Sequence, residues 1–349
     1  MTPEWTETFV DDLLDWSFLS FDDLPELAEL RAAMEYYDDP VQTMGYEDLV
    51  ADWERPGAHA SHHAVVGREK SGRIVAYGWN HPDLSDPAAP KVWFDVGVHP
   101  AWRHQGIRHN LSLWLIARAE QWYLYVHDEG TGPLWIGSLV DEKRIGLTGS
   151  MVGAGLVPER WQFDMHRDLT GTELPELVVP PEVTIVPFDE RYSEQARAAH
   201  NEAFSARPGA GETSREDWER SLNSEGARAR LSWLAIVNKP EPSHADAPHG
   251  RVVGYVINRA YEDEVSEGWT ERIGVCPWCH GKGIGRALMI ASMHGFVAAG
   301  LDSAGIGVDT VVPQAAEDYF NSMGFVATER LIVYGRTSSY EELLVRRGR

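Results

Sequence analysis

Cysteine is scarce: the chain of 349 residues has two, Cys276 and Cys279. Two cysteines three positions apart cannot make a disulfide framework, so a packed core must hold the fold, and the expected compartment is the reducing cytoplasm. Basic residues are also in short supply, 31 Lys and Arg against 54 Asp and Glu, for a net charge of −23. Both halves are acidic, which argues against a nucleic-acid partner, since that binding needs clustered positive charge. The acidity serves solubility and, through the summed field, favours a cationic substrate. No apolar run approaches the roughly 20 residues of a membrane-spanning helix, so no membrane partner is expected. Met1-Thr2-Pro3-Glu4-Trp5 has neither the basic nor the apolar region of a signal peptide. The histidines, His62-His63 included, show no ligand spacing, and no metal site is expected.

The composition that remains is globular, with 43% hydrophobic and 24% charged residues. The length suits two domains better than one core. Gly171, Pro175, Pro180 and Pro181 break the ordered patterns and mark a linker. The expected division is therefore 1–169, a linker 170–182, and 183–349. Each half reads as an α/β domain, a mixed central sheet flanked by helices. In the first, Leu24, Leu27, Leu30 and Met34 mark one helix face, and Val92 to Val98 a strand. Ile107, Leu111, Trp114 and Leu115 mark a second helix, and Trp161 to Met165 a closing strand. In the second half, Leu231 to Val237, Val252 to Ile257, Ala304 to Val308 and Val326 to Val333 read as strands.

The most informative stretch is Val275-Cys276-Pro277-Trp278-Cys279-His280-Gly281-Lys282-Gly283-Ile284-Gly285-Arg286-Ala287-Leu288. Alternating Trp269, Glu271, Ile273 and Val275 form a strand leading in, and Ile284, Ala287, Leu288 and Ala291 share one helix face. Between them Gly281, Gly283 and Gly285 remove side chains from the turn. A helix N-terminus offers unpaired N–H groups and the positive end of its dipole, so an anion can approach the backbone there, helped by Lys282 and Arg286. The same pattern occurs once before, at Val98-His99-Pro100-Ala101-Trp102-Arg103-His104-Gln105-Gly106-Ile107-Arg108. Pro100, Gly106, Ile107 and Leu111 match Pro277, Gly283, Ile284 and Leu288 at one offset of 177 residues. Two such segments, each in the same place within its half, indicate a tandem duplication.

At these residues the chain resembles the GNAT family of acetyl-CoA-dependent N-acyltransferases, whose signature is a strand, Val-x-Pro-x-x-Arg/Gln-x-x-Gly-x-Gly/Ala, and a helix. Val275, Pro277, Gly283 and Gly285 match it, with His280 where Arg or Gln is usual. Val98, Pro100, Arg103 and Gly106 match it in the first half, with Arg108 at the last glycine. The resemblance implies acetyl-CoA as acyl donor, its pyrophosphate held by the turn, here Val275, Cys276, His280, Gly281, Lys282, Gly283, Ile284, Gly285 and Arg286. Val98, Arg103, His104, Gln105, Gly106 and Arg108 form a possible second cofactor site. Asp309, then a helix ending Tyr319-Phe320-Asn321-Ser322-Met323-Gly324-Phe325, resembles the family's closing helix. The layout over almost the whole chain is similar to two-domain actinobacterial acetyltransferases, in which the C-terminal half carries the chemistry.

The implied reaction is acetyl transfer to a primary amine of a small molecule, which needs a base for the amine proton and a donor for the departing thiolate. Glu271 is the candidate base, because alternation puts it on the face of Val275; its bland alternative is a solvated strand residue, and Glu267 is the next carboxylate in phase. In the first half the in-phase positions are Val92 and Phe94, with no carboxylate. The family's tyrosine falls at Phe320, so Tyr319 is the candidate acid one place early; Met151 stands there in the first half. These losses motivate an alternative, a non-catalytic acyl-CoA-binding or sensing protein, and behind it a purely structural tandem scaffold. Cys-x-x-Cys-His also matches haem-attachment and redox patterns, but the duplicate turn has His99 and Trp102 there, so the cysteines are read as incidental. Trp218, Trp233 and Trp269 could line a cationic-amine pocket, with core the better reading for each. Nothing in the sequence sets the oligomeric state.

Overall fold

The structure is a computed structural model that describes residues 11–347, apart from 41–42, 56–59, 84–85, 87, 206–211, 224–227, 238–249 and 262–265. The Met1–Trp5 stretch lies outside the described residues. The chain divides into two compact units, one of residues 1–162 with 329–349, the other of residues 163–328.

In the first unit the order is β1 (Asp15–Phe18), α1 (Leu24–Asp38), α2 (Tyr46–Trp53), α3 (Ala60–His63), β2 (Ala64–Arg68), β3 (Ile74–Asp83), β4 (Lys91–Val98), α4 (Ile107–Val126), β5 (Leu134–Asp141) and α5 (Ile145–Gly153). Strand β6 (Val157–Asp168) begins in this unit and ends in the second. The second unit continues with β7 (Val183–Pro187), α6 (Ser193–Phe204), α7 (Arg215–Leu222), β8 (Trp233–Val237), β9 (Arg251–Tyr261), β10 (Glu267–Val275), α8 (Ile284–Ala298), β11 (Ser303–Thr310) and α9 (Pro313–Asn321). Strand β12 (Val326–Ser338) and α10 (Tyr340–Arg347) end the chain. Residues 170–182, read as the linker, contain no helix or strand.

Within each unit the strands pair in both senses. In the first unit β1-β2-β3-β4 pair antiparallel, β4-β5 parallel and β5-β12 antiparallel. In the second, β7-β8-β9-β10 pair antiparallel and β10-β11 parallel. The duplication read from the two turns is therefore one of topology: antiparallel strands, then strand, turn, helix and a parallel partner. Each copy buries its sheet under helices on both faces. Leu111 and Leu115 of α4 face Gly78 of β3, and Leu24, Leu27, Leu30 and Met34 of α1 pack with Tyr77 and Trp79 on the other side. The predicted one-face spacing in α1 is borne out, since those four are its buried residues.

Chain order alone would group β12 and α10 with the second unit. Residues Leu331 to Ser338 instead pair with Asp141 to Leu134 of β5, and Leu343 and Tyr340 join the core around Tyr123. The cause is an edge: β5 presents unpaired backbone groups, and a long strand with an apolar run (Leu331-Ile332-Val333-Tyr334) satisfies them.

Candidate functional site

Strands β10 and β11 run together only from Glu267–Ser303 to Thr270–Ile306 and then part, although β10 continues to Val275 and β11 to Thr310. At that point β10 also slips against β9, with Glu271 the extra residue between Thr270 and Arg272. An extra residue bends a strand and re-aims its side chains. Below the slip, Thr270 lies on the face of α8, where its hydroxyl bonds Asn258, itself bonded to Ser292 of α8. Above it the parity reverses: Val275 pairs with Gly254, which faces Ile284 and Leu288 of α8. Glu271 stays on the Trp269 side, in an ion pair with Arg259 (Nε–Oε2 3.1 Å). The expectation that Glu271 shares a face with Val275 is therefore corrected, because simple alternation cannot see the extra residue.

The opening holds a cavity of about 450 Å³, lined by Glu271 and Arg272 of β10, Gly307 to Asp309 of β11, His200 and Phe204 of α6, and Phe320 of α9. His200 was not found by sequence reasoning, and no spacing signals it. Its Nδ1 meets the Tyr255 hydroxyl (2.5 Å) and its Nε2 the Thr213 hydroxyl (3.0 Å). Burial and the charge of Arg272 push its pKa down to about 4, so the ring is neutral at pH 7. None of Trp218, Trp233 and Trp269 lines this cavity. Trp218 is core, bonded to Ser193 (3.1 Å).

Beyond the cavity lies the glycine turn. Gly281 and Gly283 have φ of 74° and 83°, where side chains are strained, and a Cβ on either would meet nothing within 4 Å. The turn is thus an open cradle at the start of α8, whose face Ile284, Ala287, Leu288 and Ala291 is buried as expected. An acyl-CoA pyrophosphate fits such a cradle of bare backbone N–H groups at a helix N-terminus. His280 donates from Nε2 to the Val275 carbonyl (2.9 Å), as Arg103 donates from Nε to Val98 (3.1 Å) in the other copy. Histidine there keeps the bond that ties the turn to the strand end. Lys282 lies over the Trp278 ring at 5.6 Å, and Arg286 bonds the Ser322 hydroxyl (2.7 Å) and carbonyl (3.2 Å) beyond α9. Both cysteines are buried, and burial with Glu202 nearby pushes the Cys276 thiol up to about 12. A thiol so protonated is inert at pH 7, which removes the redox reading.

Tyr319 and Phe320 separate as one helical step of about 100° requires. Phe320 lines the cavity, whereas the Tyr319 hydroxyl lies 3.1 Å from where a Cβ of Gly285 would be. Burial pushes that phenol up to about 12, against the opposing charge of Arg286, so it keeps its proton.

The first copy of the turn is built differently. Its cavity is about 110 Å³, lined by Val98, Arg103, His104, Gly106 and Arg108 among others. Gln105 is exposed and does not line it. Arg103 is held by Asp38 in two bonds (2.5 and 2.8 Å). Arg108 stands where Gly285 stands in the other copy, and burial with Arg103 and Arg144 pushes it down to about 10. Its Nε and Nη2 have no hydrogen-bond partner among the described residues. Among the described residues no group of three His, Cys, Asp or Glu could hold a metal, and no helix is long and apolar enough to cross a membrane.

The chain is similar to known proteins. Residues 233–327, spanning β8 to the start of β12, match the model of the acetyltransferase (GNAT) domain. The mycothiol acetyltransferase of Saccharopolyspora erythraea is 30% identical over 254 residues, 69% of this chain and 74% of that protein. That of Thermomonospora curvata is 28% identical over 253 residues, 72% and 75% of the two chains. Among solved structures, a GCN5-related N-acetyltransferase from Sphaerobacter thermophilus superposes with a TM-score of 0.64 at 21% identity, covering 94% of this chain and 97% of that one. A tandem GNAT protein from the clavulanic acid biosynthesis pathway gives 0.52 at 17% identity, covering 93% and 98%. With its parted parallel strands, its glycine turn and these relatives, the chain belongs to the GNAT family and is an N-acetyltransferase.

Proposed function

We propose that the second unit binds acetyl-CoA at the Val275–Arg286 turn and transfers its acetyl group to a primary amine of a small molecule. The observation that carries this reading is the open glycine cradle beside the point where β10 and β11 part. Backbone N–H groups of the turn would hold the pyrophosphate, and the exposed edge of β10 would pair with the pantetheine arm. Glu271, aimed into the cavity by the extra residue in β10, takes the amine proton directly or through water. Neutral His200, bonded at both nitrogens, orients the Tyr255 and Thr213 hydroxyls beside it. Tyr319, a protonated phenol over the first turn of α8, is the group available to protonate the thiolate. The first unit is a degenerate copy, because Arg108 fills the position where a bare backbone is needed. The relatives' name makes the deacetylated amine of mycothiol the first acceptor to assay.

Wild-type protein mixed with acetyl-CoA and a panel of amines, with released thiol measured, tests the reading. Acetyl-CoA should raise the melting temperature, and one acceptor should release thiol. The absence of any acetyl-CoA effect on melting would sink the cofactor assignment. Binding without turnover on any amine would favour the second reading, an acyl-CoA-binding protein without catalysis. That reading is supported by Phe320, which puts a phenyl ring into the cavity where the family has a tyrosine.

A further inference from the structure

The first unit holds a second and larger cavity, of about 690 Å³. It opens where β4 and β5 part: their pairing ends at Trp93–Gly137, while β4 runs on to Val98 and β5 to Asp141. Its walls are aromatic, with Trp79, Trp93 and Phe94, and His81 stacks on Trp79 at 5.2 Å and 22°. Its charged lining is Asp52, Asp83, Asp95 and Asp141 against Arg31, Arg55 and Arg144, an excess of carboxylate.

Asp95 is the centre of this lining. One of its oxygens accepts from both Arg31 (2.5 Å) and the Tyr77 hydroxyl (2.5 Å). Burial pushes its pKa up, but the Arg31 charge and these bonds outweigh it, so the carboxyl is held below its usual range. The side chain nonetheless keeps 42% of its surface open to the cavity. Among the described residues its other oxygen accepts no hydrogen bond. Two guanidiniums pair within the lining, Arg31 with Asp95 and Arg55 with Asp52 (2.5 Å), and the third, Arg144, pairs with Asp38 (2.6 Å), which lies outside it. Among the described residues the Asp141 carboxylate accepts only the backbone N–H of Lys143 (2.9 Å). Simple alternation missed this arrangement. Val92 and Phe94, the positions compared with Glu271, are apolar members of the core cluster, whereas Asp95, one place later at the position of Arg272, brings a carboxylate to the cavity.

A fixed carboxylate with one open oxygen, at the floor of a cavity walled by tryptophans, is the chemistry that selects an ammonium group attached to an apolar body. The carboxylate accepts its N–H bonds, and the indoles contact the cation and the ring or chain that bears it. We propose that the first unit binds a small arylalkyl amine in its ammonium form, at a site separate from the acetyl-transfer cavity of the second unit. The net charge of −23 adds a long-range field of the right sign.

Titration calorimetry on the full chain tests this with tyramine and its neutral isostere 4-(2-hydroxyethyl)phenol, in the absence of acetyl-CoA. Tyramine should bind at least tenfold more tightly than the alcohol. Asp95→Asn should remove that difference, Trp93→Ala should weaken both ligands, and Glu271→Gln should change neither. Asp141→Asn retains an oxygen for Lys143 and removes one charge, so it carries the test where Asp95→Asn does not fold; it should weaken tyramine alone. Equal binding of the two compounds overturns the proposal. So does a preference for tyramine that is undiminished in Asp95→Asn or in Asp141→Asn, or that is lost in Glu271→Gln.

Discussion

Gly283→Ala and Gly106→Ala form a controlled pair. Both glycines have φ of 83°, both precede the first residue of a helix, and a Cβ on either would meet nothing within 4 Å. The structural cost should thus be the same in both. An L-residue in the left-handed region costs about 1–2 kcal/mol, and the alanine gains back about 0.4–1 kcal/mol from the unfolded chain. The net of about 1 kcal/mol should lower Tm by about 2–4 °C in each variant. Ligand response should separate them. At a hundredfold excess over Kd, acetyl-CoA stabilises the wild type by about 2.7 kcal/mol, read as a rise of about 5–10 °C. A methyl in the cradle of α8 pushes the phosphate off its N–H groups, and each charged hydrogen bond lost is worth about 1.5–3 kcal/mol, so affinity should fall at least tenfold. Differential scanning fluorimetry with and without acetyl-CoA should therefore show the rise in Gly106→Ala and lose at least half of it in Gly283→Ala. A full ligand response in Gly283→Ala, or a response abolished in Gly106→Ala alone, refutes the assignment of the cofactor to the second unit.

Three further outcomes are expected. Glu271→Gln should lower kcat by about 10²–10⁴-fold with little change in acetyl-CoA affinity, since it removes a base and keeps the size; unchanged turnover removes Glu271 from the mechanism. Tyr319→Phe should lower kcat at high pH most, where an outside proton donor is least available, and an unaltered pH–rate profile shows that another group or water protonates the thiolate. His200 binds its proton less readily folded, at about 4, than unfolded, near 6.5. The unfolded state thus takes up more protons between these values, so stability is full above about pH 6.5 and falls as pH drops toward 4. His200→Asn should flatten that slope in denaturant titrations, and a slope that persists unchanged assigns it to other groups.

Much was readable in the chain order, for reasons that are local. Glycines at positive φ, the buried face of Ile284, Ala287 and Leu288, and the repeat of Pro100 and Gly106 at Pro277 and Gly283 each depend on a few adjacent residues. The bond from position 280 to Val275, repeated at Arg103 despite the change of residue type, is local too, yet only the structure shows it. Composition, too, fixed the balance of charge and the lack of any disulfide framework.

Tertiary structure decided what depends on register and on distant partners. One extra residue at Glu271 reverses which side of β10 faces α8, and it shows only as a slip against β9. His200 gained its place through Tyr255 and Thr213, at sequence distances of 55 and 13 residues. Asp95 became the floor of a cavity because Arg31, 64 positions earlier, turns to meet it. The last strand left the half in which it is encoded because the open edge of β5 lay where its backbone could pair. Local pattern sets which residues form a turn, strand or helix; the free energy of pairing edges and burying charges sets which of them meet.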